Sequence, residues 1–279
     1  MNFKKIQWIF LAAFALLDIF LASFVLMNTK FVSIGKQQSS SQIILKEMKN
    51  DSIITGPLSG KNRMGYYLSA AKTDDNQELQ SHQDQLKGQT PRVVGSNFTS
   101  SFNNPVRIDK TKPQAKLDQL CQNPKWVING RQYTYNEHLS TSKTVVYTQT
   151  MAGEPLFGPA GLLRFRLNDR NEVVGYTQSF LKPGEILRPR QTAISQKQAV
   201  IALYKHNEIP SGSTIQWVDF GYSRLLTYGN HAVYIPTWTA SIKAKNTGKK
   251  IHCQVNAFTG IVMKNGGQST SSSSSTYNN

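Results

Sequence analysis

Between Ile6 and Met27 the chain is apolar or nearly so, interrupted at the centre of the run by a single charge, Asp18. As a helix with about 1.5 Å rise per residue, a run of this length reaches roughly 33 Å, enough to cross the hydrocarbon core of a bilayer with some tilt. The stretch therefore predicts a transmembrane helix. Lys4 and Lys5 resemble the start of a secretory signal, but the apolar run exceeds the roughly 7–15 residues of a signal core. The only small-residue pattern, Leu21-Ala22-Ser23, lies inside the run. The expectation is an uncleaved single-pass anchor over residues 1–29, with a cytoplasmic N-terminus and the long polar remainder outside the cell membrane.

A charge at the middle of a spanning helix costs on the order of 2.5–3.5 kcal/mol on insertion scales, so Asp18 is expected to face protein or to be protonated. Helical spacing puts Leu11, Phe14, Ala15, Leu21, Ala22 and Val25 on the same face. Ala15 and Ala22 bracket the acid with small side chains, which let a second helix approach closely. Ala15, Asp18 and Ala22 are thus the candidate partner-contact residues.

Beyond the anchor about 250 residues remain, enough for two modest domains. The reading is α+β: two antiparallel-sheet lobes over 30–185 and 186–265, then a Ser-rich tail over 266–279 that is too polar to bury a core. Lys and Arg number 32 against 16 Asp and Glu, a formal charge of +16. The surplus is spread along the chain, unlike the basic stripe with interleaved aromatics of a nucleic-acid protein, so no nucleic-acid partner is expected. A diffuse positive surface suits a membrane surface or an anionic cell-wall polymer, and solubility alone also accounts for it. Cys121 and Cys253 are the only cysteines, compatible either with one bridge or with two buried thiols.

Along the first lobe, Ile43, Ile44 and Met48 fit one face of a helix ending before Gly56-Pro57. Gly65–Ala70 reads as a strand, and Thr73–Lys87 as an exposed helix opened by Asp74-Asp75 with Leu79 and Leu86. Asn129-Gly130 between Trp126–Ile128 and Gln132–Tyr135 is a two-residue hairpin signal. Thr144–Thr150, the alternating Leu163–Leu167 and Glu172–Phe180 are further strands, the last two joined by an Asn168–Asn171 turn. Pro and Gly from Lys182 to Pro189 mark a boundary. Ser195 with Gln198 three residues later is a capping box, with Ala199, Leu203 and Tyr204 on the inner face of its helix. Strands follow at Thr214–Tyr222, Ala232–Ala244 and Lys250–Ala257.

No catalytic pattern emerges. His82, His138, His206, His231 and His252 lack metal-ligand spacing, and His252 and Cys253, adjacent in a strand, project to opposite faces. There is no nucleophile elbow and no phosphate loop, so neither enzyme activity, cofactor nor metal is expected. Asp219, between Trp217 and Phe220, is the carboxylate best placed to be held in a cleft and would be the first candidate of an unrecognised hydrolase.

One family matches these residues. Phe14, Leu17-Asp18 and Phe20-Leu21 in one N-terminal helix, Gly65-Tyr66-Tyr67, and Leu163–Leu181 are similar to YycI, as are Ile194–Tyr204, Gly221-Tyr222, Tyr234–Trp238 and Val255–Gly260. The resemblance runs from the anchor to about Val262. It implies a membrane-anchored accessory protein of the WalK/WalR two-component system that acts with a YycH-like relative. It also implies a regulator rather than an enzyme, and a second lobe related to the PepSY type. By the same resemblance the WalK-like sensor histidine kinase is met through the membrane helix, on the Ala15, Asp18 and Ala22 face, and through the exodomain.

Overall fold

The computed structural model describes residues 8, 11, 13–21, 36–71, 77–94, 97–229 and 231–263. These fall into two units, Met1–Ser52 and Ile53–Asn279. In the first, Trp8, Leu11 and residues 13–21 are helical and exposed. Among the described residues no helix is long and apolar enough to cross a membrane. The rest of the apolar run lies outside them, as do Asp74-Asp75 and the tail. Helix α1 (Lys36–Asn50) buries Met48 and half-buries Ile44 and Leu45 at helical spacing. Ile43, read on that face, is exposed, because the stripe runs 44, 45, 48.

The second unit is a sheet-rich α+β fold. Its thirteen strands, counted among the described residues, form one hydrogen-bonded network. The N-terminal half contains β2 (Gln89–Val94), β3 (Asn97–Arg107), β4 (Tyr133–Asn136), β5 (Thr144–Met151), β6 (Glu154–Phe157), β7 (Leu162–Leu167) and β8 (Glu172–Gln178). From β2 its order is β2-β3-β8-β7-β5, after which β4 and β6 share the far edge of β5. The alternation in Leu163-Arg164-Phe165-Arg166 works as expected, with Leu163 and Phe165 fully buried. Phe165 lies edge-on between Tyr147 (5.7 Å) and Tyr176 (5.8 Å). Helix α2 (Gln77–Ser81) and helix α3 (Pro113–Gln122) contribute Leu79, Leu117, Leu120 and Cys121 to the same core. The stretch read as one exposed helix over Thr73–Lys87 holds, among the described residues, helix α2 and a 3-10 turn (Gln83–Gln85), with Leu79 and Leu86 both in the core.

Two further readings change and one open alternative is decided. Asn129 does adopt the left-handed conformation its sequence suggests, with φ of 54°, but it opens a 3-10 turn (Gly130–Gln132) rather than a hairpin. A β-carbon at Gly130 would overlap the Cys121 carbonyl, so the glycine serves close packing on α3. The Pro-rich boundary is strand β9 (Lys182–Ala193), which among the described residues pairs only with β1 (Arg63–Ala71) and does so through register shifts. Proline is tolerated in such irregular edge strands. The line drawn at 185/186 thus falls inside a strand, and β1, from the first stretch, is bonded to β9 and β11. Finally, both cysteines are free and buried. Burial first, then Asp118 for one and Glu208 for the other, pushes Cys121 up to about 12 and Cys253 up to about 11.

The C-terminal half is β1, β9, helix α4 (Gln196–Lys205), β10 (Thr214–Tyr228), β11 (His231–Lys243), β12 (Lys250–Asn256) and the short β13 (Val262–Met263). The capping box at α4 is complete: Ser195 Oγ accepts from the Gln198 amide, and Gln198 Oε1 accepts from the Ser195 amide at 2.9 Å. The helix buries Ala199, Val200 and Leu203 and packs on β10, β11 and β12. Trp238 Nε1 donates to the Ile194 carbonyl at 2.8 Å, and Gln196 Nε2 to that of Val218 at 2.8 Å.

The two halves meet at β6. It runs antiparallel to β5 (Thr150↔Pro155, Met151↔Glu154) and parallel to β10 (Tyr222↔Leu156, Ser223↔Phe157). A core of Leu68, Ala70, Met151, Leu156, Tyr222 and Tyr234 spans this joint.

Candidate functional site

Two places merit description: the helical segment carrying Asp18, and the surface around Asp219. In the first, Ala15 and Asp18 lie one helical turn apart and both are exposed, while Ala22 is outside the described residues. Leu11, Phe14 and Leu21 share their face by helical spacing and are exposed as well. The result is a carboxylate set among exposed apolar side chains.

In the second, a loop of the N-terminal half reaches the sheet of the C-terminal half. The loop between β4 and β5 is held by Asn136, whose Oδ1 accepts from the Leu139 amide at 3.1 Å and whose carbonyl accepts from Ser140 Oγ at 2.7 Å. Ser140 Oγ in turn accepts from the Val146 amide at 3.0 Å. This frame places His138 flat on Trp217, with ring centroids 4.6 Å apart and planes at 16°, and sets Nε2 3.3 Å from Asp219 Oδ2. Trp217 also meets His252, tilted at 37° and 5.7 Å away. Burial raises Asp219 above the ordinary carboxylate value, opposed by the neighbouring His138. Burial, then Lys250, holds His252 below its ordinary value.

Cross-strand partners share a sheet face, so the pairs Asp219↔Thr239 and Thr239↔Gln254 set a row of polar groups beside this cluster. Its hydroxyls are already engaged. Ser223 and Thr237 hydrogen bond at 2.8 Å, and Gln254 Nε2 donates to Ser223 at 3.0 Å and to Thr239 at 3.3 Å.

Hydrolysis of a glycosidic bond needs two carboxylates flanking the bond. Among the described residues the side chain paired with Asp219 is the His138 imidazole, and the arrangement reads as a latch between halves. No group of three His, Cys, Asp or Glu among the described residues could hold a metal. His252 is half-exposed and Cys253 buried, on opposite faces as expected. Sequence reasoning passed over His138, because nothing in the chain ties it to a strand so distant in sequence.

The family model described as YycI protein matches residues 33–258. No curated protein matches the chain in sequence. Among solved structures, an uncharacterized protein from Eubacterium rectale ATCC 33656 is 9% identical with a TM-score of 0.47, over 77% of this chain and 91% of that one. The Bacillus megaterium YpeB C-terminal domain is 11% identical with a TM-score of 0.35, over 84% and 96%. YycH from Bacillus subtilis is 13% identical with a TM-score of 0.40, over 67% of this chain and 52% of that one.

Proposed function

Because the chain belongs to the YycI family, we propose that it is a membrane-anchored accessory regulator of a WalK-like sensor histidine kinase, working by contact with the kinase and a YycH-like partner rather than by catalysis. The match over residues 33–258 carries this reading. In it, residues 1–29 form a single-pass anchor with a cytoplasmic N-terminus. The sheet-rich remainder lies outside the cell, its second lobe of the PepSY type. The Ala15, Asp18 and Ala22 face meets a helix of the kinase. Such a regulator needs only to bind one state of the kinase more tightly than another.

The test is co-purification from detergent extracts of cells making the full chain, a chain lacking residues 1–29, or Asp18→Leu. The full chain is expected to bring down the kinase and the truncated chain to lose most of it. Asp18→Leu should shift kinase output while the protein stays in the membrane fraction. Absence of the kinase from the full-length pull-down would remove the reading.

A further inference from the structure

Strand β10 outruns its neighbour on one side. Strand β6 meets it only at Tyr222 and Ser223, and the chain then leaves at Gly158, where φ is 127°. β10 continues for five residues, Arg224–Tyr228, bonded to β11 alone among the described residues. All five are exposed, Tyr228 to 83%, and a register shift at Leu225 leaves Leu225 and Leu226 both in solvent. Beyond it the pairing is regular: Leu226↔Val233, Thr227↔Ala232, Tyr228↔His231.

Proteins usually blunt a free edge with proline or cover it. Another outer strand, β9, carries Pro189, whereas 224–228 contains no proline. Arg224 is exposed and forms no ion pair among the described residues, and 224–228 contains no acid. A second copy of this edge would offer Arg224 no carboxylate, since 224–228 contains none. A bilayer would suit the leucines and Tyr228. It would also leave the backbone groups of the edge without partners, at a cost of several kcal/mol each in hydrocarbon.

We infer that the free edge of β10, Arg224–Tyr228, receives an extended acidic segment of a partner protein as an added strand. Backbone groups of the segment complete the ladder, its carboxylates meet Arg224, and its alternate apolar side chains cover Leu226 and Tyr228. This contact is separate from the helix face and stands whether or not the kinase reading does.

The experiment titrates a labelled, alternating Glu/Val octapeptide with the full chain in detergent and follows anisotropy and amide exchange. Binding is expected to slow exchange at residues 224–228 and to vanish when alternate amides of the peptide are N-methylated. Arg224→Glu, and Arg224→Gln should that variant fold poorly, should weaken binding, the former about tenfold or more. Absence of binding, indifference to N-methylation, or protection elsewhere in the chain overturns the inference. So does protection of 224–228 by phosphatidylglycerol vesicles but not by peptide, or by self-association without peptide.

Discussion

His252 shows how a single environment sets a pH response. Its imidazole is held below the ordinary value of 6.5 by burial and by Lys250. Between its folded-state value and 6.5 the unfolded chain therefore binds a proton that the native chain does not. Its contribution to stability is full above that window and falls as pH drops through it. Asp219 runs the other way in the acid range: burial raises its value above 3.8, so the stability it lends is full at low pH and fades as pH rises through the window. Urea unfolding of the chain at about pH 7 and about pH 5.5 should show stability falling on acidification, and His252→Gln should remove part of that fall. The group is half-exposed, so solvent screening keeps the effect small. This residue-level behaviour was not legible in the sequence, because the partial burial of His252 involves Trp217, two strands away on β10, and, through it, a loop of the other half.

At the scale of elements, β6 is the informative case. A β-carbon at Gly221 would strike the Pro155 carbonyl and the Phe157 ring, so the parallel pairing of β6 with β10 requires a residue without a side chain there. Gly221→Ala is expected to cost about 2 kcal/mol or more in denaturant unfolding, while Gly60→Ala, facing open space, should stay within about 0.5 kcal/mol. Elements declared by local chemistry were readable: the Ser195–Gln198 box, the Asn168–Asn171 turn, the alternation of β7. Elements decided by tertiary pairing were not. The prolines of β9 signal a break until β1 is seen to accept them through shifted register, and Asn129-Gly130 states a left-handed turn without stating what it connects. β2, β3 and α3 went unread although Pro113 stands at the first helical turn of α3 and Gly95-Ser96 separates two β-rich runs.

For the whole molecule, the length and polarity of the run around Asp18 carry the expectation of an anchor, while among the described residues no helix is long and apolar enough to cross a membrane. The latch at Asp219 was half-legible: the carboxylate and Trp217 are two residues apart in sequence, while His138 comes from the β4–β5 loop of the other half. Strand order carries a consequence of a different kind, one of timing. β1 is the first strand made, yet its partners are β9 and then β11, so Leu68–Ala71 must wait for His231–Tyr234. Closing so long a loop is slow, and contacts of this separation mark late folding. A chain ending after Tyr228 should leave β1 with β9 alone, and chymotrypsin should then cut at Tyr66-Tyr67, where a chain reaching Met263 resists. As the chain is made, the first strand to arrive would be among the last to find its place, and its apolar face needs shelter for as long as the rest of the chain takes to be made.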